Sequence, residues 1–132
     1  MGRPIQFCFD RKEVKDHGEG GQLIGAELGK DAKVVIVEDV LSAGTSLRHT
    51  LSLLQQKPCE LLGAIVGLDR QENGTGNTLA AAEMEANGLR VAALSNVELM
   101  VERLHGQELA GRVWIDDDMR QKIDAYRSQF TG

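Results

Sequence analysis

Two adjacent carboxylates, Glu38 and Asp39, end the apolar run Val34-Val35-Ile36-Val37, and Ser42-Ala43-Gly44-Thr45-Ser46 follows shortly after them. Four apolar, mostly β-branched residues predict a strand buried on both faces. The small-residue turn leads into a helical pattern, so its N–H groups and the helix dipole favour a phosphate. Carboxylates beside such a turn can hold sugar hydroxyls or the waters of a bound Mg²⁺. Together they suit a sugar phosphate. The spacing is neither G-x-x-x-x-G-K-[ST] nor G-x-G-x-x-G, so the nucleotide-hydrolase loop and the dinucleotide fingerprint are both excluded.

Two other stretches carry usable chemistry. Arg11-Lys12-Glu13-Val14-Lys15-Asp16-His17-Gly18-Glu19-Gly20-Gly21 mixes cations, carboxylates and glycines with few apolar residues. Its composition fits either a solvated charged loop or a lid that closes on a polyanion. Further on, Leu61–Leu68 reads as a second buried strand ending in Asp69-Arg70-Gln71-Glu72. Polar residues at a strand's C-terminal end lie where open α/β sheets bind ligands. Arg70 could bind a carboxylate bidentately or pair with a surface acid.

The remaining elements must position these residues. Pro4–Phe9 reads as a strand and Leu23–Leu28 as a short helical segment stopped by Gly29. Thr45–Gln56 is predicted helical, with Leu47, Leu51 and Leu54 on one stripe and Arg48 and His49 on the polar face. Asn73–Gly76 is a turn, and Asn77 is a candidate N-cap for a helix over Thr78–Asn87. Arg90–Leu94 is a strand, and Ser95-x-x-Glu98 a capping box for a helix bearing Val97, Met100, Val101 and Leu104. Gly111–Ile115 is irregular, with Trp114 anchoring it to the body. Asp116-Asp117-Asp118 opens a last helix with Met119, Ile123, Tyr126 and Phe130 on one face. Those acids suit the helix dipole, and no further ligands at usable spacing support a metal there. The alternation gives an α/β fold with a mainly parallel sheet and flanking helices, in one domain over residues 1–132.

Bulk properties narrow the class. The chain has 132 residues, 42% hydrophobic and 27% charged, with a net charge of −5, so no global bias toward nucleic acid exists. No apolar run approaches the ~20 residues of a membrane span, and the start is not a signal peptide. Cys8 and Cys59 lie far apart without C-x-x-C, which predicts small buried thiols in a reduced, cytoplasmic protein.

The run Val34–Ser46 resembles the signature of type I phosphoribosyltransferases, which bind phosphoribosyl pyrophosphate (PRPP). The Arg11–Gly21 segment and Leu68-Asp69-Arg70-Gln71-Glu72 are similar to the catalytic loop and an orotate-contacting segment of the orotate phosphoribosyltransferase family. That resemblance implies transfer of the phosphoribosyl group of PRPP to orotate, giving orotidine 5′-phosphate and pyrophosphate in pyrimidine (UMP) synthesis. It implies that Arg11, Lys12, Lys15 and His17 contact the pyrophosphate and that Glu38 and Asp39 orient the ribose hydroxyls. Lys12, Lys15, His17, Glu38 and Asp39 would be the catalytic set. The segment Val40, Leu41, Ser42, Ala43, Gly44, Thr45 and Ser46 would complete the PRPP site, with Ser42 and Arg70 facing orotate.

The resemblance also implies Mg²⁺, held through PRPP and water rather than by direct protein ligands, and a homodimer in which the Arg11–Gly21 loop acts in the neighbouring site. It covers only the later part of such an enzyme, lacking the N-terminal hood and first strands. The expectation is therefore a chain truncated on its N-terminal side, whose exposed sheet edge drives self-association. A non-catalytic PRPP-binding or assembly module is the alternative. A purine or uracil phosphoribosyltransferase fits the loop and the Leu68–Glu72 segment less well.

Overall fold

The computed structural model describes residues 4–10 and 23–130. Arg11, Lys12, Lys15 and His17, with the rest of the Arg11–Gly21 segment, lie outside the described residues. In chain order the elements are β1 (Cys8–Asp10), β2 (Leu23–Gly25), β3 (Lys33–Leu41), α1 (Thr45–Leu54), β4 (Glu60–Asp69), α2 (Ala80–Ala86), β5 (Val91–Asn96), α3 (Val97–Leu104), β6 (Glu108–Leu109), β7 (Arg112–Val113) and α4 (Asp117–Arg127). The α/β class with a parallel sheet and flanking helices follows from the sequence as expected.

Strands β3, β4 and β5 form the central sheet in that order, and both pairings are parallel. Register sets Leu41 beside Asp69, and Asp69 beside Asn96, so all three strand ends finish level. Ile36, Ala64 and Val66 face α1 and α2, which contribute Leu47, Leu54, Ala80 and Met84 to one core. Leu47 is fully buried; its truncation to alanine would cost about 2–5 kcal/mol in such surroundings.

The other sheet face differs from expectation. Val35, Val37, Ile65 and Leu94 alternate out of the core, and Val37 and Leu94 are 78% and 79% exposed. Strand β3 is therefore buried on one face only, because α1 and α2 pack against a single side. The apolar run predicted two covered faces, but a run cannot specify what covers it.

Smaller corrections have local causes. Leu23–Gly25 is a strand rather than a helical segment, since it pairs antiparallel with Cys8–Asp10. Pairing with a distant partner overrides weak local propensity in so short a piece. The helix α2 starts at Ala80 with Leu79, not Asn77, at its N-cap. Asn96, not Ser95, caps α3 by accepting the Leu99 N–H at 2.8 Å. Gly111–Ile115 is not irregular throughout: β6 and β7 form a hairpin around Ala110 and Gly111. Trp114 closes that hairpin rather than anchoring it to the body. It is half-exposed, its Nε1 donates to the Leu109 carbonyl, and Arg112 stacks 4.4 Å from the ring centroid. The three acids at the start of α4 are each engaged: Asp116 caps the helix, Asp117 meets His105 and Asp118 pairs with Lys122. Cys8 and Cys59 are free thiols, but half-buried rather than buried.

Candidate phosphate and base site at the strand ends

The site is built from the turns after β3 and β4. The chain leaves β3 through Ser42, Ala43 and Gly44 and enters α1 directly. Gly44 is the N-cap, at φ 77, and no side chain caps the helix. Its backbone conformation disfavours any side chain. A Cβ there would also lie 2.8 Å from the Met84 methyl and 3.3 Å from Arg48 Nη1. The first N–H groups of an α-helix have no intrahelical acceptor. At α1 they carry the dipole's positive end, with no acidic residue in the first turn to occupy it. This is a backbone cradle suited to a phosphate.

The carboxylates stand beside it. Glu38 Oε2 accepts the Ser46 hydroxyl at 3.2 Å, which links the strand end to the first turn of α1. Asp39 is exposed, and its Oδ1 accepts the Val40 N–H at 2.8 Å. Oxygen donors here can take hydroxyl hydrogens or metal-bound water. Among the described residues no group of three or more His, Cys, Asp or Glu is placed to hold a metal ion.

The second turn lies alongside. The Arg70 N–H donates to the Leu41 carbonyl at 2.9 Å, so the backbone of Arg70 follows immediately beside Ser42. The structure thus brings together Glu38, Ser42–Ser46 and the backbone of Arg70, with Asp39 next to Glu38 along β3. The Arg70 guanidinium is not isolated. It meets Glu72 Oε1 at 2.6 Å and Tyr126 Oη at 3.1 Å, and the Tyr126 hydroxyl donates to the same Glu72 oxygen at 2.6 Å. Glu72 is itself buried, 9% exposed. The Glu72 hydrogen bond is the main cause of a raised Tyr126 pKa; desolvation adds to it and Arg70 opposes it. A buried carboxylate, a hydroxyl and the guanidinium fix one another.

Gln71 supports the same turn from a left-handed conformation, φ 57, that few non-glycine residues adopt. Its N–H donates to Asp69 Oδ1, and its side-chain oxygen accepts the Glu98 N–H and an Arg127 N–H. A strained residue held from several sides at a strand end is common at functional sites. Gln71 and Glu72 stood out in the sequence only as members of the polar cluster Asp69–Glu72, with no role of their own, and Tyr126 did not stand out as part of the site. The only signal for Tyr126 was its place on the apolar stripe of the last helix, which points to packing.

Arg48 also departs from expectation. It is half-buried rather than on a solvated face, donating to the Ala43 carbonyl and pairing with Glu83 at 2.9 Å. Glu83 accepts the Thr75 N–H at 2.6 Å and its hydroxyl at 3.0 Å. The Thr75 N–H is the largest cause holding the Glu83 carboxyl below the usual carboxylate range; desolvation works against it, and the Thr75 hydroxyl and Arg48 reinforce it. His49 contacts Asp10 at 3.0 Å, which ties α1 to β1.

Comparison with known proteins agrees with this geometry. The family model for the phosphoribosyl transferase domain matches residues 4–82. The orotate phosphoribosyltransferase of Lachnoclostridium phytofermentans is 42% identical over 130 residues, which cover 97% of this chain and 58% of that protein. A crystal structure of orotate phosphoribosyltransferase from Francisella tularensis superposes with a TM-score of 0.66 at 25% identity, covering 95% of this chain and 55% of that one. The Mycobacterium tuberculosis H37Rv orotate phosphoribosyltransferase in complex with PRPP gives a TM-score of 0.58 at 28% identity, over 74% of this chain and 51% of that one. The chain spans little more than half the length of these relatives.

Proposed function

The chain belongs to the phosphoribosyl transferase family, and from that premise we propose that it supplies the PRPP site of an orotate phosphoribosyltransferase. The observation that carries this is the adjacency of two strand ends. The acidic pair near the end of β3 and the amide cradle that follows the strand are joined to the turn beginning at Arg70 after β4, through the Arg70 N–H bond to the Leu41 carbonyl. A sugar phosphate held in the first turn would present its ring to Glu38 and Asp39, and a planar carboxylate-bearing base would meet Ser42 and Arg70.

In the transfer, a ring N–H nitrogen of orotate bonds to the anomeric carbon and gives up its proton as the carbon–oxygen bond to pyrophosphate breaks; that bond's electron pair leaves on the pyrophosphate oxygen, and the proton goes to pyrophosphate or water. The ribose gains oxocarbenium character, so catalysis is mostly positioning and electrostatics. Glu38 and Asp39 orient the ribose hydroxyls and stand near the developing positive charge. Amides and hydroxyls of Ser42–Ser46 hold the 5′-phosphate. Arg11, Lys12, Lys15 and His17 are the cations assigned to the pyrophosphate, on the strength of their motif. Bound Mg²⁺ would offset charge growing on pyrophosphate; Glu38 and Asp39 offer oxygen donors to its waters.

The same proposal includes a cytoplasmic homodimer with the Arg11–Gly21 segment acting in the partner's site. The open apolar sheet face at Val37 and Leu94 supports association, and the free thiols suit a reducing compartment. No helix among the described residues is long and apolar enough to cross a membrane. A cleanly monomeric species in light scattering would overturn the dimer.

The deciding experiment titrates the purified chain with PRPP and Mg²⁺ in a calorimeter, then adds orotate and follows its absorbance. Saturable PRPP binding, weakened when Glu38 and Asp39 are both converted to their amides, is expected. Orotate consumption lost in Lys12→Ala is expected with it. PRPP binding without orotate consumption would overturn transfer by this chain while leaving the sugar-phosphate site standing. Neither binding nor consumption would overturn both.

A further inference from the structure

Arg48 and Glu83 are not themselves among the groups assigned to substrate, yet they are placed against the two turns that follow β3 and β4. Arg48, on α1, forks: Nη2 donates to the Ala43 carbonyl and Nη1 donates to Glu83 Oε1 at 2.9 Å. Glu83, on α2, uses its other oxygen to accept both the N–H and the hydroxyl of Thr75. The two side chains are 30% and 16% exposed, so water screens the pair only partly. A continuous polar path therefore runs from Ala43 in the first turn, through α1 and α2, to Thr75 in the second.

The physical need for it lies in the cradle. A loop that binds an anion through its amides must aim its carbonyl oxygens elsewhere, because a carbonyl oxygen and a phosphate oxygen repel. A guanidinium on the Ala43 carbonyl fixes that orientation. Its planar fork can serve the carbonyl and the Glu83 carboxylate together, and a lysine ammonium on a flexible stem matches that geometry poorly. Gly44 lies against the same guanidinium, as the 3.3 Å separation of a Cβ there from Nη1 shows. Glu83 in turn is held by Thr75, so the fork has a fixed far end.

We propose that Arg48 and Glu83 are positioning residues that keep the Gly44–Ser46 amides aimed at a sugar phosphate and transmit its binding to the Thr75 turn. This rests on the assignment of the cradle to a sugar phosphate made above.

The test uses ribose 5-phosphate as probe, with calorimetry for affinity and amide NMR for the Thr75 resonance. The unaltered chain should bind the probe and shift the Thr75 amide on binding. Arg48→Lys, which keeps the charge but not the fork, should weaken binding about tenfold, the scale of one lost charge-assisted hydrogen bond. Glu83→Gln should weaken it roughly three- to tenfold by the same reasoning. The Thr75 shift on binding should vanish in both variants. The double variant should bind about as well as Arg48→Lys alone, since the two act in series. Unchanged affinity in the single variants, or additive losses in the double, would overturn the inference and leave the phosphate site intact. A Thr75 shift that persists in variants of lowered affinity and thermal midpoint would show a merely structural pair, and overturn it too. No binding by the unaltered chain would overturn the cradle assignment and this inference with it.

Discussion

The turns after β3 and β4 end side by side but work by different means. The first is three residues long, Ser42 to Gly44, and presents backbone. The second runs from Arg70 to Leu79 and presents side chains held by a distant helix. A backbone cradle depends on conformation at one glycine and on a clamp for its carbonyl. A guanidinium site depends on partners that fix the side chain, here Glu72 and Tyr126. The first turn should therefore fail through steric changes at Gly44, and the second through polar deletions far along the chain.

The largest effect should come from Gly44→Val. A β-branched residue at φ 77 is strained by about 1–3 kcal/mol, and its Cβ would press on the Met84 methyl at 2.8 Å. Calorimetry should show ribose 5-phosphate affinity lowered by roughly a hundredfold or more, as a few kcal/mol requires. Retained affinity would mean that the amides of this turn are not the phosphate site.

A moderate and separable effect is expected from Tyr126→Phe. The ring and its edge contact with Phe130 remain, while Arg70 and Glu72 lose the shared hydroxyl. Orotate affinity in the presence of PRPP should fall about five- to tenfold, in line with one hydrogen bond to a charged group. Ribose 5-phosphate affinity should not change. Equal losses for both ligands would remove the division of labour between the turns.

The smallest effect concerns the link between them. The folded-state pKa of Glu83 is depressed, so its contribution to stability is present above its ordinary value of 4.5 and is lost as pH falls through the folded value. In urea unfolding, the unaltered chain should exceed Glu83→Gln in stability near neutral pH, and the gap should close progressively in acid. A gap that is constant with pH would show that ionisation of Glu83 contributes nothing.

Much of the cradle could be read directly. Val34–Val37, the acidic pair and the small-residue turn all fall within the short run Val34–Ser46, so local patterning places strand, turn and helix in sequence, and α1 begins at Thr45 as predicted. Arg70 was recognisable as a strand-end cation, and it is paired with an acid, Glu72, which is buried rather than on the surface. Its second partner, Tyr126, is 56 residues away, and no local pattern encodes that distance. Leu23–Gly25 was misread for the same reason, since a three-residue strand exists only through its pairing with β1.

The sequence by itself determined the α/β alternation and the placing of Glu38-Asp39 and the Ser42–Ser46 turn between a strand and a helix. These depend on hydrophobic period, residue type and short spacing, which a linear chain carries in full. Tertiary structure alone decided that one face of the sheet stays open at Val37 and Leu94. It also decided that Arg48 leaves the polar face to clamp Ala43, and that Glu72 and Tyr126 hold Arg70. Each of these depends on which remote surfaces meet, and burial and ion pairing are set by that meeting rather than by the residues' own preferences.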